Sequence, residues 1–160
     1  MSTKLAHQLT AHVKLLQKAV LLSDDKVLIL KRHPDSATRP NCWDLPGGNS
    51  EWPTNITTFT RGLHLQDLCR EIEEETGIAV DPESVFRRDL VYFDTTFEPE
   101  KEMFTILCGW RHKLSGEQTL PPVATSSEHT EYQWVDPADL DQYDFGFADF
   151  IPEMIRLAAQ

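Results

Sequence analysis

Three things are in short supply in this sequence. Cysteine occurs three times in 160 residues, at Cys42, Cys69 and Cys108, with no C-x-x-C pair. An odd, scattered set of this kind does not build a disulfide framework. It reads as reduced, mostly buried thiols in a cytoplasmic protein. Positive charge is the second scarcity. Lys and Arg total 15 against 26 Asp and Glu, a formal net charge of -11. Such a field repels polyanions and argues against a nucleic-acid polymer or an anionic membrane surface as the main partner. A small anionic substrate stays open where a divalent metal neutralises it locally. Long apolar runs are the third. None approaches the roughly 20 residues of a membrane span, and residues 1–7 lack the apolar core of a signal peptide.

What remains is ordinary for a folded chain: 40% apolar and 26% charged residues, without internal repeats. The length predicts a single domain over residues 1–160. Residues 13–22 and 27–30 read as two strands of a hairpin about the turn 23–26. A polar loop with two prolines covers 33–40. Trp43, Asp44 and Leu45 form a short extended segment that Pro46-Gly47-Gly48 breaks sharply. Residues 49–61 are polar, Thr-rich and aperiodic, a long loop of the kind that is usually functional. The clearest helix covers 63–76. Leu65, Leu68, Cys69, Ile72 and Thr76 make one apolar stripe, and Gly77 is the expected stop. Strands are expected over 85–96 and 102–114, joined by a loop at 97–101, and over 131–135 after a loop at 115–127. A closing helix covers about 150–159, with Pro152 in its first turn. The order of elements predicts an α+β fold or a three-layer α/β/α sandwich rather than a regular βαβ repeat.

The central helix carries a second face. Asp67, Glu71 and Glu74 lie together at 100° per residue, flanked by Arg70 and Glu75. Like charges at this spacing repel, and the acids sit where the helix macrodipole disfavours them. A solvated acidic face is the plain reading. Hard oxygen ligands on one rigid element also suit Mg²⁺ or Mn²⁺. The glycine pair upstream could bring a backbone carbonyl close to a ligand.

Arg70-Glu71-Ile72-Glu73-Glu74-Glu75-Thr76-Gly77-Ile78 resembles the second half of the Nudix box, Arg-Glu-U-x-Glu-Glu-x-Gly-U with U aliphatic. Leu45-Pro46-Gly47-Gly48 is similar to the strand end and first glycine of that box. The stretch 127–135, in which acids precede a last strand, also resembles a family pattern, so the resemblance covers about residues 13–158. The first half of the box departs. Twenty-one residues separate Gly48 from Arg70, eight more than the family pattern holds. The position of the first box glutamate becomes Gly62 or Thr54, neither acidic. Glu51 or Asp67 could take its role.

The resemblance implies a Nudix-type α/β/α sandwich with a central catalytic helix, and hydrolysis of a nucleoside diphosphate linked to another moiety. It implies Mg²⁺ or Mn²⁺ held by Glu71, Glu74 and Glu75, a carbonyl from Gly48, and a remote carboxylate. Glu128 is the expected remote ligand or general base, Glu131 its alternative, and Glu71 the helix residue that would otherwise supply the base. Arg70 is expected to hold the acids in place by a bidentate pair. Arg32, Arg39 and Trp43 are candidates for substrate contact. His33, with Arg32 and Arg39 bordering the loop before Trp43, could touch phosphate, and a solvated loop is the plain alternative. His129 reads as a polar neighbour more readily than a base, and Phe93, Phe104 and Trp110 as core aromatics more readily than stacking platforms. The partner expected is a small nucleotide-type molecule, and a homodimer is open because dimers are frequent in the family. A catalytically silent, Nudix-fold binding or regulatory module is the competing function.

Overall fold

The structure, a computed structural model, describes residues 12–51, 53–85, 87–116 and 120–160. The segment read for a signal peptide, Trp52, Phe86 and residues 117–119 lie outside them. Among the described residues no helix is long and apolar enough to cross a membrane.

The first two strands explain how the site is built. β1 (His12–Ser23) and β2 (Lys26–Arg32) form the expected hairpin, turning at Asp24 and Asp25 with positive φ. Their pairing is confined to Leu22–Val27 and Ser23–Lys26, next to the turn. Beyond it the strands diverge, and the backbone groups so freed must find partners elsewhere. The chain from residue 43 onward fills the gap. β3 (Trp43–Asp44) pairs with β2 at Leu30–Asp44 and Lys31–Trp43. The next residues cross to β1: the Ala19 N–H donates to the Pro46 carbonyl at 2.9 Å and the Gln17 N–H to the Gly48 carbonyl at 3.0 Å. The Pro-Gly-Gly break is thus a hop from one strand to its neighbour inside the sheet.

β5 (Met103–Lys113) lies parallel to β1 from His12–Met103 to Leu22–Lys113, and β4 (Leu90–Glu98) closes that side as an antiparallel edge. β6 (His129–Val135) pairs antiparallel with β2. The result is a six-stranded mixed sheet in the order β3-β2-β1-β5-β4, with β6 beside β2. Two boundaries differ from expectation. The strand expected from residue 85 starts at Leu90, because Asp81 caps a 3-10 turn over Pro82–Ser84 and a second such turn covers Arg87–Asp89. β6 starts at His129, two residues before Glu131, because Arg32 and His129 extend the ladder across a bulge.

Each face of the sheet carries one helix. α1 (Leu63–Thr76) has the predicted bounds, and the Gly77 N–H, in the left-handed region, caps it by donating to the Glu73 carbonyl at 2.8 Å. Its Leu68, Cys69 and Ile72 pack on Ala19, Leu21, Leu28, Leu30 and Trp110. α2 (Phe150–Ala158) covers the opposite face, burying Ile151, Met154 and Ile155 against Val20, Ile29 and Leu45. Truncating a fully buried residue of either stripe to alanine costs about 2–5 kcal/mol. The α/β/α sandwich follows from this alternation. All three cysteines are free and buried, and burial pushes the Cys69 thiol up to about 11, so it stays protonated.

Candidate active site

The strand hop delivers Gly47 to the C-terminal half of α1. Gly47 has φ +120°, and a Cβ there would lie 2.3 Å from the Gln17 carbonyl oxygen, so only glycine fits. Its N–H donates to Glu75 Oε2 at 2.8 Å. Glu75 is buried, and burial pushes its pKa up to about 7 against the opposing pull of Lys18 and the Gly47 N–H. Gly48 faces Glu71, whose Oε2 would stand 3.5 Å from a Cβ on that glycine. The structure therefore brings Gly48, Glu71 and Glu75 together at one end of the turn.

On the open side of α1 a single cation holds the remaining acids. The Arg70 guanidinium lies 2.7 Å from Asp67, 2.8 Å from Glu71 and 2.6 Å from Glu74, with Glu51 at 4.0 Å. These partners, Asp67 first, push the Arg70 pKa above its ordinary value. Burial raises the Glu71 pKa, and Arg70 offsets part of that rise. Glu51 and Asp67, the two candidates for the displaced first glutamate, meet here as well. The Glu51 N–H donates to Asp67 Oδ2 at 3.2 Å. The inserted loop stands off from α1 and leaves a groove of about 380 Å³, lined by Glu51, Pro53, Ile56, Gln66, Asp67 and Arg70.

This donor set fits a hard divalent cation in its chemistry: carboxylates, two of them with pKa values raised by burial, beside a backbone turn. Among the described residues no three His, Cys, Asp or Glu side chains converge as a finished metal cage. Arg70 explains that, since it draws Glu71 and Glu74 toward itself. A cation bound by these acids would take over the neutralising role of the guanidinium.

Behind the turn lies a cluster that sequence reasoning missed. Lys18, 5% exposed, donates to the Leu45 carbonyl at 3.1 Å and the Gly47 carbonyl at 3.2 Å, and lies 3.0 Å from Asp44 Oδ1. Asp44, fully buried, also receives Arg39 at 2.6 Å, Arg32 at 3.1 Å and the Leu45 N–H at 2.8 Å. Burial alone would raise the Asp44 pKa, but Lys18 and Arg39 outweigh it and hold the carboxyl below its ordinary 3.8. Lys18 thus ties the Asp44 network to both ends of the turn that presents Gly47 to Glu75. Gln17, buried beside it, donates to Ser50 Oγ and the His64 carbonyl, each at 2.8 Å, and accepts from Trp110 Nε1 at 3.1 Å. The available signal was a lysine and a glutamine inside a strand otherwise fit for burial.

The other candidates divide. Arg39 and Trp43, expected at the substrate, are held inside the fold. Arg39 is committed to Asp44, and Trp43 packs edge-on to Tyr143 with ring centroids 5.5 Å apart. Arg32 donates to Asp44 and to the Thr38 carbonyl and hydroxyl, and it borders a surface groove with His33, Thr38, Ser127 and Glu128. Glu128 is exposed there, and its backbone carbonyl accepts from the His33 N–H at 2.8 Å. Among the described residues none of its hydrogen bonds reaches α1. Glu131 is paired with Lys31 at 2.7 Å. His129 is buried, and burial lowers its pKa, so it stays neutral at pH 7. Trp110 is core, whereas Phe93 is exposed.

Known proteins resemble this chain along most of its length. The family model of the NUDIX domain matches residues 17–156. The m7GpppN-mRNA hydrolase NUDT17 of Danio rerio is 28% identical over 142 residues, which is 86% of this chain and 43% of that protein. The chain therefore spans less than half the length of this relative. A MutT protein from Methanosarcina mazei Go1 superposes with a TM-score of 0.65 at 23% identity, covering 94% of this chain and 96% of that one. An ADP-ribose pyrophosphatase from Streptococcus suis superposes with a TM-score of 0.57 at 19% identity, over 91% and 89% of the two chains.

Proposed function

Because the chain belongs to the Nudix family, we propose that it is a divalent-metal-dependent pyrophosphohydrolase acting on a nucleoside diphosphate linked to another moiety. The observation that carries the reading is the acidic face of α1, where Glu71 and Glu75 meet a Gly47–Gly48 turn fixed from behind by a buried lysine and Glu74 shares the Arg70 guanidinium with Glu71. Glu71, Glu74 and Glu75 would hold Mg²⁺ or Mn²⁺, with the Gly48 carbonyl and Glu128 as further ligands. When bound, the metal neutralises charge on the diphosphate and lowers the pKa of a coordinated water. The chain's own work is positional. Gly47 orients Glu75, Arg70 keeps the unloaded acids from repelling one another, and Glu128, or failing it Glu131 or Glu71, takes the proton of the attacking water. Arg32 borders the groove with Glu128 and is the cationic candidate for substrate phosphate.

The substrate class extends the names of the relatives, an mRNA-cap hydrolase and an ADP-ribose pyrophosphatase. It covers nucleoside triphosphates, nucleotide sugars, ADP-ribose and dinucleoside polyphosphates. Buried, free thiols suit a reducing cytoplasmic setting. The saturation of the acids by Arg70 favours a second reading, a silent nucleotide-binding module. A phosphate-release screen over such a panel, with Mg²⁺ and then Mn²⁺, separates the two. Turnover that EDTA abolishes supports the hydrolase. Nucleotide binding without turnover under either metal favours the silent module.

A further inference from the structure

β4 is the outer strand of the sheet, and among the described residues no strand pairs with its free side. Its N–H groups alternate between β5 and solvent. The Thr95 N–H shows which set faces outward, because it donates to the carboxylate of its own neighbour, Asp94 Oδ1, at 2.8 Å. Phe93 and Phe97 share that outward parity. Their side chains lie on the same face of the sheet as Thr95, and they are 63% and 50% exposed. A nine-residue edge with two bare aromatic rings is a pairing surface unless something blunts it.

The strand is self-complementary in one register. A second copy laid antiparallel, with Thr95 on the two-fold axis, places Phe93 opposite Phe97 of the other copy and Phe97 opposite its Phe93. Thr95 then meets its own equivalent. The outward N–H and C=O groups of residues 93, 95 and 97 all find partners. On the other sheet face Asp94 meets Thr96, and Tyr92 meets Glu98. Shifting the register by two residues either way is unfavourable. One shift sets Asp94 against Asp94, and the other sets Asp94 against Glu98, and like charges directly opposite destabilise a strand pair. Charge and aromatic pattern therefore select the same alignment.

We propose that β4 is a homodimer interface, in which two copies join edge to edge into one continuous sheet about a two-fold axis through Thr95. On pairing, the Thr95 N–H exchanges the Asp94 carboxylate for the Thr95 carbonyl of the second copy. Asp94 then turns to solvent, diagonal to its equivalent. Each chain carries -11, so the complex is opposed by repulsion that salt screens.

Sedimentation velocity over a concentration series, at low and high NaCl, tests the proposal. A species of twice the 18.3 kDa chain mass, favoured by salt, is expected. Thr95→Pro removes an outward N–H without touching the β5 ladder, since proline is tolerated on a free edge. It should weaken association at least ~30-fold, the loss expected from a central interface position, at unchanged fold by circular dichroism. Should that variant unfold, Phe93→Ser with Phe97→Ser replaces it, with the same expected loss. Thr95→Cys treated with diamide should cross-link between chains, and Thr96→Cys should not, because only residue 95 meets its equivalent. A wild type that stays monomeric at every salt and concentration overturns the proposal. So does a dimer that survives the edge variants, or cross-linking at residue 96 in preference to 95.

Discussion

Two ionic clusters flank the Gly47–Gly48 turn, and they are built on opposite terms. Behind it, Asp44 is fully buried and receives Lys18, Arg39 and Arg32. Three cations surround one acid, and backbone carbonyls take up further donors of Lys18. In front of it, one half-exposed guanidinium serves Asp67, Glu71 and Glu74. Here three acids surround one cation, next to the further acid Glu75. Buried charges persist only when closely compensated, so the rear cluster is locked and excess positive charge is held in place by the fold. The front cluster is short of positive charge and open to solvent. It is therefore able to exchange its cation. The chain spends rigidity behind the turn and leaves its electrostatic deficit where a ligand can reach it.

Glu74→Gln tests the front cluster and has the largest expected effect. Its carboxylate is more exposed than those of Asp67 and Glu71, which share Arg70 with it, and its proposed role is to hold a cation. Loss of that charge should reduce turnover by ~10³-fold or more at ordinary Mg²⁺, on the scale of the several kcal/mol a metal supplies. The melting temperature should stay level or rise, because one like charge leaves the C-terminal half of α1. Near wild-type turnover would show that the front cluster is merely a solvated face.

Asp44→Asn tests the rear cluster, where the effect moves from activity to stability. Removing one partner of a buried ion pair costs about 3–5 kcal/mol, here because Lys18 and Arg39 lose their counter-charge. The pH dependence follows in sign. The folded-state pKa of Asp44 lies below its ordinary 3.8, so its contribution is complete above that value. It is lost as the pH falls through the lowered one. The gap in unfolding free energy between wild type and Asp44→Asn should be constant around neutrality and narrow only below 3.8. A gap that already closes between pH 7 and 5 would mean that Asp44 is not held ionised by its neighbours.

The two clusters also differ in how visible they were in the sequence. The front one was legible because α1 is local: its apolar stripe, its acids and Gly77 lie within a few turns, and the predicted bounds agree with the helix found. α1 even breaks local rules in a readable way, with no side-chain N-cap, no acid in its first turn and no base in its last, as functional elements tend to do. The rear cluster gathers residues 18, 32, 39 and 44 from three strands and a loop. Nothing near Asp44 announces that it is buried, because its cations come from elsewhere in the chain. The parallel pairing of β1 with β5, some ninety residues apart, was invisible for the same reason. The strand expected from residue 85 begins only at Leu90: the composition around Val85 suits a strand, whereas the Asp81-capped turn before it and the turn over Arg87–Asp89 decide the backbone.

Glu128→Gln probes whether the front cluster reaches across the sheet edge for a base. A general base contributes roughly 10²- to 10⁴-fold in rate. Glu128 sits with Arg32 rather than on α1, so the lower end, ~10²-fold in kcat, is expected, with an unchanged melting temperature because the side chain is exposed. A silent variant would move the role to Glu131, and a silent Glu131→Gln as well would move it to Glu71.

The smallest effect belongs to Glu131, three residues further on. Its carboxylate lies 2.7 Å from Lys31, its cross-strand partner in the β2–β6 ladder, and both side chains are well exposed to water. Solvent screens such a pair, and holding two long side chains in one geometry costs rotamer entropy, so exposed pairs contribute about 0.2–1 kcal/mol. Glu131→Gln keeps the length and a hydrogen-bond acceptor. It should lower stability by an amount within that range, shrinking further in high salt, and leave kcat unchanged. The pair of variants then reads the geometry directly: Glu128→Gln should move the rate and leave the melting point, and Glu131→Gln should move the melting point slightly and leave the rate. A large rate loss at Glu131 would require its carboxylate to leave Lys31 during turnover and would transfer the general-base role to it.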